Sequence, residues 1–433
     1  MKLPTVFLTG STACVLVVAC SSAPELAPLG EPADGGGAIV SPSPDAGLLD
    51  VWHPALDSGI PSPLEVACAG DPCYVAVSGN HSRHVCGLLR DGSVRCWGRD
   101  SMPAAAASDD DILTMSDGAL GRGGAISVLE GATPAPVVGL ADVTQISVGP
   151  NLGTCARTQD GSVHCWGRND YGQLGRPISE PRVPVAARVE GIPPVDTIAL
   201  GARIGCAIAS ADRSLHCWGK RIDGLGLDAG DGDTFEARHV TTIPAPVKAI
   251  VIGMWEEEDT VIALLPDNTL ATAGGAASGE TSLMPPFESP LERFGVARSW
   301  TFAYVTTDGL LRRWRPADDT VYIPSLAPVV DVKIGGGSQG EQGGALLSTG
   351  RLFRWGDNST GALGVSPSHL LVGPHPVEVT QVEANVVSFA TTIDSTCASL
   401  VDGSVVCWGG NRFGELGRGT VDSSPHPEAA SIR

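Results

Sequence analysis

The chain has 433 residues, 55 of them glycine and only 5% aromatic, and a formal charge of −20. That length admits one large domain or two ordinary ones. So acidic a surface repels phosphate backbones, which argues against nucleic acid as a partner and says nothing of fold.

At the N-terminus, residues 1–19 carry one charge, Lys2, followed by an apolar run through VFLTGSTACVLVVA. The run is too short for a spanning helix and fits a secretory signal peptide. It ends in Val17-Val18-Ala19-Cys20, which resembles a bacterial lipobox, although that pattern prefers leucine where Val17 stands. The resemblance implies that Cys20 is diacylated and becomes the mature N-terminus. With Ser21 rather than aspartate next, it also implies an anchor at the outer membrane or cell surface. Plain secretion with cleavage nearby is the alternative, and either route ends where disulfides persist. Residues 20–65 are rich in Pro, Gly, Ala and Ser and read as a flexible tether, leaving residues 66–433 as the folded domain.

Cys68 and Cys73, in CAGDPC, open that domain, and their short loop either closes on itself or reaches elsewhere. Next comes HVCGLLRDGSVRCWG (84–98), a pattern that returns as TCARTQDGSVHCWG (154–167), GCAIASADRSLHCWG (205–219) and TCASLVDGSVVCWG (396–409). Weaker copies are VIALLPDNTLATAGG (261–275), FAYVTTDGLLRRW (302–314) and GGALLSTGRLFRWG (343–356). The residue before the tryptophan falls at Cys96, Cys165, Cys217, Thr272, Arg313, Arg354 and Cys407, with spacings of 69, 52, 55, 41, 41 and 53. Alternating stretches lead several units, such as VTQISVG (143–149), VDTIALG (195–201) and VVDVKIGG (329–336). A glycine loop trails them: GALGRGG (118–124), YGQLGR (171–176), GALG (361–364) and GELGRGT (414–420). The extra length of the first unit is the insertion SMPAAAASDDDILTMSD (101–117), a candidate contact loop. Short strands and turns at this period suggest a propeller or a related β array.

The midpoint of Cys155 and Cys165 is Asp160. A turn through Gln159-Asp160-Gly161, with Gly161 left-handed, sets the two cysteines directly opposite on antiparallel strands. Opposed Cβ atoms are within reach of a disulfide. The same count pairs Cys86 with Cys96 and Cys397 with Cys407. Cys206 and Cys217 have one extra residue between them, which a longer loop through Ala211-Asp212-Arg213 must absorb. Structural disulfides are favoured over free thiols, redox work or zinc, since the pairs sit in separate units and cannot share a metal.

At this point the units resemble the regulator of chromosome condensation repeat family, and Asn169-Asp170-Tyr171-Gly172-Gln173-Leu174-Gly175 matches its characteristic loop. The resemblance covers residues 66–433. It implies an all-β, seven-bladed β-propeller with four antiparallel strands per blade. The 26 residues after Cys407 and the 31 from Val66 to Cys96 together make about one repeat. Pro427–Arg433 is therefore expected to complete the blade of residues 74–97 and so close the ring. The tryptophans at 97, 166, 218, 314, 355 and 408 share one repeat position, as packing residues would.

Chemistry is harder to find. His164 and His216 occupy a variable strand position, and His81 and His84 lack metal-type spacing to further ligands. Asp228, Asp231, Asp233 and Glu236 supply carboxylates enough for calcium but not the ordered spacing of a calcium loop, so a solvated acidic loop stands beside that reading. Glu256-Glu257-Glu258-Asp259 reads as a charged edge. No hydrolase, zinc-peptidase or phosphate-loop motif occurs, so no catalytic residue, metal ligand or cofactor is assigned. The expectation is a monomeric, non-catalytic scaffold, held to a membrane by its N-terminal lipid, for an unknown extracellular or periplasmic protein. The alternatives are an enzyme-inhibitor propeller and a hydrolase or lyase using carboxylates at the propeller mouth.

Overall fold

The computed structural model describes residues 64–101, 117–220, 225, 234–255, 258–274, 282–284, 291–296, 302–307, 309–315, 318–322, 328–337, 340–383 and 385–432. These form seven four-stranded antiparallel sheets. Blade 1 holds β1 (Tyr74–Ser78), β2 (His84–Leu89), β3 (Val94–Gly98) and β4 (Ala135–Pro136). Blade 2 holds β5 (Val143–Val148), β6 (Gly153–Thr158), β7 (Val163–Arg168) and β8 (Arg182–Arg188). Blade 3 holds β9 (Val195–Leu200), β10 (Ile204–Ala209), β11 (Leu215–Gly219) and β12 (Thr234–His239). Blade 4 holds β13 (Ala249–Trp255), β14 (Glu258–Leu264), β15 (Leu270–Gly274) and β16 (Ser282–Met284). Blade 5 holds β17 (Leu291–Val296), β18 (Phe302–Thr306), β19 (Leu311–Arg315) and β20 (Asp318–Tyr322). Blade 6 holds β21 (Val329–Gly337), β22 (Gly340–Leu347), β23 (Leu352–Asn358) and β24 (Ser368–Glu378). Blade 7 holds β25 (Val386–Thr391), β26 (Ser395–Leu400), β27 (Val405–Asn411) and β28 (Asp422–Ser431). Helix is confined, among the described residues, to one turn, Val128–Gly131, and a 3-10 turn, Thr380–Val382.

The first strands pack side by side around the ring, from β1 through β5, β9, β13, β17, β21 and β25 back to β1. Second strands such as IGCAIA in β10 are buried along their whole length, because each blade is covered on both faces by its neighbours. Outer strands such as β28 are half-exposed or exposed throughout.

The Asp-Gly turns join the second strand to the third. Gly161 takes φ +80°, which only glycine adopts without strain, and Cys155 stands opposite Cys165. Asp160 fastens the turn, accepting from the Ser162 amide at 3.0 Å, the Ser162 hydroxyl at 2.9 Å and the Thr158 hydroxyl at 2.6 Å. These bonds to the ionised carboxylate hold its pKa down to about 2. Asp91, Asp212 and Asp402 repeat the arrangement with Ser93, Ser214 and Ser404.

The glycine after each tryptophan is set by close approach. Gly167 has φ +103°, and a Cβ there would stand 2.2 Å from the Leu152 carbonyl oxygen. Gly167→Ala is expected to cost more than about 2 kcal/mol, read as a lowered midpoint of chemical unfolding. A change under about 0.5 kcal/mol would contradict this account.

Closure differs from the sequence expectation. The C-terminal strand β28 pairs with β27 inside blade 7, and blade 1 is completed by its own β4. N- and C-terminal segments therefore share no blade. The two terminal lengths add to one repeat for any whole number of units, wherever the blade boundary falls, so the sum carried no information about the boundary. The 31 residues before Cys96 include the first strands of blade 1, and the 26 after Cys407 hold the loop and outer strand of blade 7. The ring closes by contact instead. Asn80 and Thr391 form a parallel bridge. The amides of Ala67, Ala69 and Tyr74 donate to the carbonyls of Val401, Asp402 and Gly403 in the blade 7 turn, at 2.6, 2.9 and 2.8 Å.

Candidate functional site

Antiparallel connection puts the first-to-second and third-to-fourth strand loops of every blade at one face of the ring. That loop face is built by a repeated latch. In the Asn-x-x-Gly-x-Leu-Gly loop, the asparagine carboxamide accepts from the leucine amide: Asn169 from Leu174 at 3.0 Å, Asn358 from Leu363 at 3.0 Å, Asn411 from Leu416 at 3.2 Å. This aims the carbonyl before the leucine at the next blade, where a buried indole meets it. Trp97 donates to the Glu415 oxygen at 2.9 Å, Trp166 to Ala119 at 3.1 Å, Trp218 to Gln173 at 2.8 Å and Trp408 to Ala362 at 3.0 Å. The tryptophan and the glycine loop are therefore two halves of one inter-blade joint. Trp355 is equally buried, but its Nε1 has no partner. The Trp314 side chain lies outside the described residues.

The joint between blades 7 and 1 carries more than packing. Arg83, from the loop before β2, and Arg99, after β3, set their guanidinium carbons 5.1 and 4.1 Å from the centroid of the Phe413 ring, and Arg412 lies 5.5 Å from it. Arg83 pairs with Asp394 at 3.4 Å, Arg99 Nε donates to the Ser101 carbonyl, and Arg412 is exposed with no acidic partner among the described residues. Burial, with Arg83 beside it, lowers the Arg99 pKa to about 10. Beneath the ring, Glu415 is buried and accepts from the Phe413 amide at 2.8 Å, and burial pushes its carboxyl up to about 7. The joint between blades 2 and 3 has the same plan, with an acid shared between its cations. There Arg203 lies 5.0 Å from the Tyr171 centroid and 3.6 Å from Glu258, which also binds Lys220 at 2.6 Å. The 7–1 joint thus gathers three arginines about one aromatic ring, with Asp394, Asp117 and Glu415 close by.

Residues 102–116, the candidate insertion, lie outside the described residues. Its flanks reach this patch, since the Asp117 amide donates to the Asp100 carbonyl at 3.0 Å.

The structure joins Cys86 to Cys96, Cys155 to Cys165, Cys206 to Cys217 and Cys397 to Cys407, each with Cα atoms 4.1 Å apart, and Cys68 to Cys73 with Cα atoms 5.6 Å apart. Arg213 at φ +60° absorbs the extra residue of the third blade. The first four disulfides tie the second strand of a blade to the third, and Cys68–Cys73 closes a short loop just before β1. Disulfides of this number belong to an oxidising compartment, as for an extracellular or exported protein. Cys20 and residues 1–19 lie outside the described residues.

The remaining candidates are placed as follows. His84 is fully buried, its Nδ1 2.6 Å from the Ser82 hydroxyl and its Nε2 2.8 Å from the Thr154 hydroxyl, and burial lowers its pKa to about 3. It is a neutral bridge between blades 1 and 2. His164 and His216 are half-buried strand residues. Asp228, Asp231, Asp233, Glu256 and Glu257 lie outside the described residues; Glu236 is described, 3.9 Å from Arg238. Asp259 is no charged edge but a buried inter-blade acceptor, taking the amides of Ala202, Arg203 and Ile204 at 3.1, 2.6 and 3.0 Å. Among the described residues, no three His, Cys, Asp or Glu stand together as a metal site, and no helix is long and apolar enough to cross a membrane.

Comparison with known proteins agrees with this architecture. Family models of the Regulator of chromosome condensation (RCC1) repeat match residues 75–102 and 143–173 and, in a second form, 160–208. The chain is 28% identical over 342 residues to the E3 ubiquitin-protein ligase HERC2 of Mus musculus, 77% of this chain but only 6% of that protein. It is 30% identical to the Regulator of chromosome condensation of Mus musculus, over 40% of this chain and 41% of that one. It is 28% identical to the Ultraviolet-B receptor UVR8 of Arabidopsis thaliana, over 76% and 67%. Among solved structures, Prp20p from Saccharomyces cerevisiae superposes with a TM-score of 0.59 at 14% identity, covering 86% of this chain and 87% of that chain. Human WBSCR16 gives 0.59 at 14%, over 77% and 88%. At such identities the likeness speaks for the fold alone. With its seven sheets the chain is a seven-bladed β-propeller, and residues 75–102 and 143–208 of it match the regulator of chromosome condensation repeat.

Proposed function

We propose that this protein is an exported scaffold, anchored through a lipid on Cys20, that binds a partner protein without catalysis through the loop face at the joint of blades 7 and 1. One observation carries the reading: the Phe413 ring, ringed by Arg83, Arg99 and Arg412, is presented on loops at the strand ends, with Arg412 exposed and without an acidic partner among the described residues. Aromatic and arginine side chains are the usual anchors of protein interfaces, and loops on a fixed scaffold are their usual site. Two of the buried carboxylates, Asp259 and Glu415, accept backbone amides and hold blades and loops together.

A photo-crosslinking residue at position 412 is expected to trap a discrete protein in the native membrane, whereas one at Asp160, on the opposite face, is not. Trapping at 160 alone, or at neither position, would overturn the assignment of the face. Cys20→Ala is expected to move the protein from the membrane to the soluble fraction; retention in the membrane would remove the lipid anchor from the proposal.

A further inference from the structure

Cross-strand register aligns the blades residue by residue. One row reads Ser147–Cys155–Cys165–Ala187 in blade 2, Ala199–Cys206–Cys217–Arg238 in blade 3 and Ala390–Cys397–Cys407–Ala430 in blade 7. In blade 6 the same row reads Lys333–Gly344–Arg354–Val377. A glycine and an arginine stand where blades 1, 2, 3 and 7 hold a disulfide.

Arg354 is fully buried, and none of Nε, Nη1 and Nη2 has a hydrogen-bond partner among the described residues. Its side chain lies across Gly344: a Cβ built there would stand 3.0 Å from Arg354 Cδ, 3.2 Å from Arg354 Nη1 and 2.7 Å from Phe389 Cε2 of blade 7. Beyond Gly344 in the same row is Lys333, about a third exposed, its ammonium 2.9 Å from Asp331 and 4.6 Å from the Phe389 centroid. Burial lowers the Arg354 pKa to about 9, so the guanidinium keeps its charge at neutral pH. A buried cation with no hydrogen bond is among the least tolerated groups in a protein core. It has five N–H donors in a planar fork, a geometry suited to an anion.

We propose that Arg354 and Lys333 hold a small monovalent anion of chloride size between blades 6 and 7, in the place of the missing disulfide. Gly344 makes the room, and its removal of one side chain is what lets the arginine lie over the strand. Phe389, close to that position, favours a small anion over a tetrahedral oxyanion. Asp331 answers the lysine, and the bound anion answers the arginine.

The test is thermal unfolding of the full chain in sodium chloride or bromide against sodium gluconate at equal ionic strength. Halide is expected to raise the midpoint by about 2–4 °C in the wild type, the size that mass action gives at a moderate excess of ligand. Arg354→Leu is expected to abolish the difference. So is the pair Gly344→Cys with Arg354→Cys, which introduces the disulfide of blades 1, 2, 3 and 7. If Arg354→Leu fails to fold, Lys333→Gln decides by a reduced halide response, and a bromide-soaked wild-type crystal decides by an anomalous peak at Arg354. Equal midpoints in halide and gluconate, or ordered water in place of bromide, would overturn the proposal.

Discussion

Replacing Trp97 with alanine is expected to destabilise the protein by about 3–5 kcal/mol, the usual loss for a large buried aromatic. Trp97 is fully buried and fills the joint that closes the ring. The alanine variant loses its apolar contact and also leaves the Glu415 carbonyl, 2.9 Å from the indole, without that donor. Trp97→Phe keeps most of the volume and should cost less, about 1–3 kcal/mol, since it still strands a buried acceptor. Trp355→Phe is the internal control. Trp355 Nε1 has no acceptor, so its replacement should cost less than that of Trp97. Equilibrium urea unfolding checks the series. A loss below about 1 kcal/mol for Trp97→Ala would mean that the 7–1 joint contributes little to the cooperative unit.

Glu415→Gln should stabilise the protein at pH 8 by about 3 kcal/mol and leave it unchanged near pH 4. Burial raises the native pKa of Glu415 to about 7, from 4.5 in the unfolded chain. Between those values the native state binds more protons than the unfolded one, so the wild type loses stability as pH rises from 4.5 to 7. Above pH 7 the whole penalty is present. Gln173 fills the equivalent place in blade 2, where its Oε1 accepts from the Tyr171 amide at 2.9 Å, so glutamine fits this loop. Asp259, raised to about 6, gives the same slope over a narrower window. His84, lowered to about 3, gives the opposite one, with stability falling as pH drops from 6.5 toward 3. Both are common to wild type and variant and cancel in the difference. Chemical unfolding at pH 4, 6 and 8 measures it. Equal stability of the two proteins at pH 8 would show that the Glu415 carboxylate is not penalised by its burial.

The period of the chain carried the architecture. Tryptophan-glycine and aspartate-glycine recur because each blade needs the same close approach and the same turn, and Cys155 and Cys165 declare their register by lying symmetrically about Asp160. What repetition cannot carry is where the period breaks. Phe413, Arg83 and Arg99 stand in the last and first units, and only the closed ring brings them together. Gly344 and Arg354 were legible as the two positions aligned with cysteines, but the burial of the guanidinium beside Phe389 comes from the packing of blade 6 on blade 7, which the motif does not carry. The same limit applies to closure, since β4 is two residues long and lies past the insertion.

The closure by contact alone has a topological consequence. Each of the five disulfides among the described residues links cysteines no more than 11 positions apart, within a blade or just before the first one. Covalently, the described residues make a string with five small closed loops, and no disulfide among them makes it a circle. The first blade can part from the last with every disulfide intact, so an oxidising environment stiffens the pieces without locking the whole.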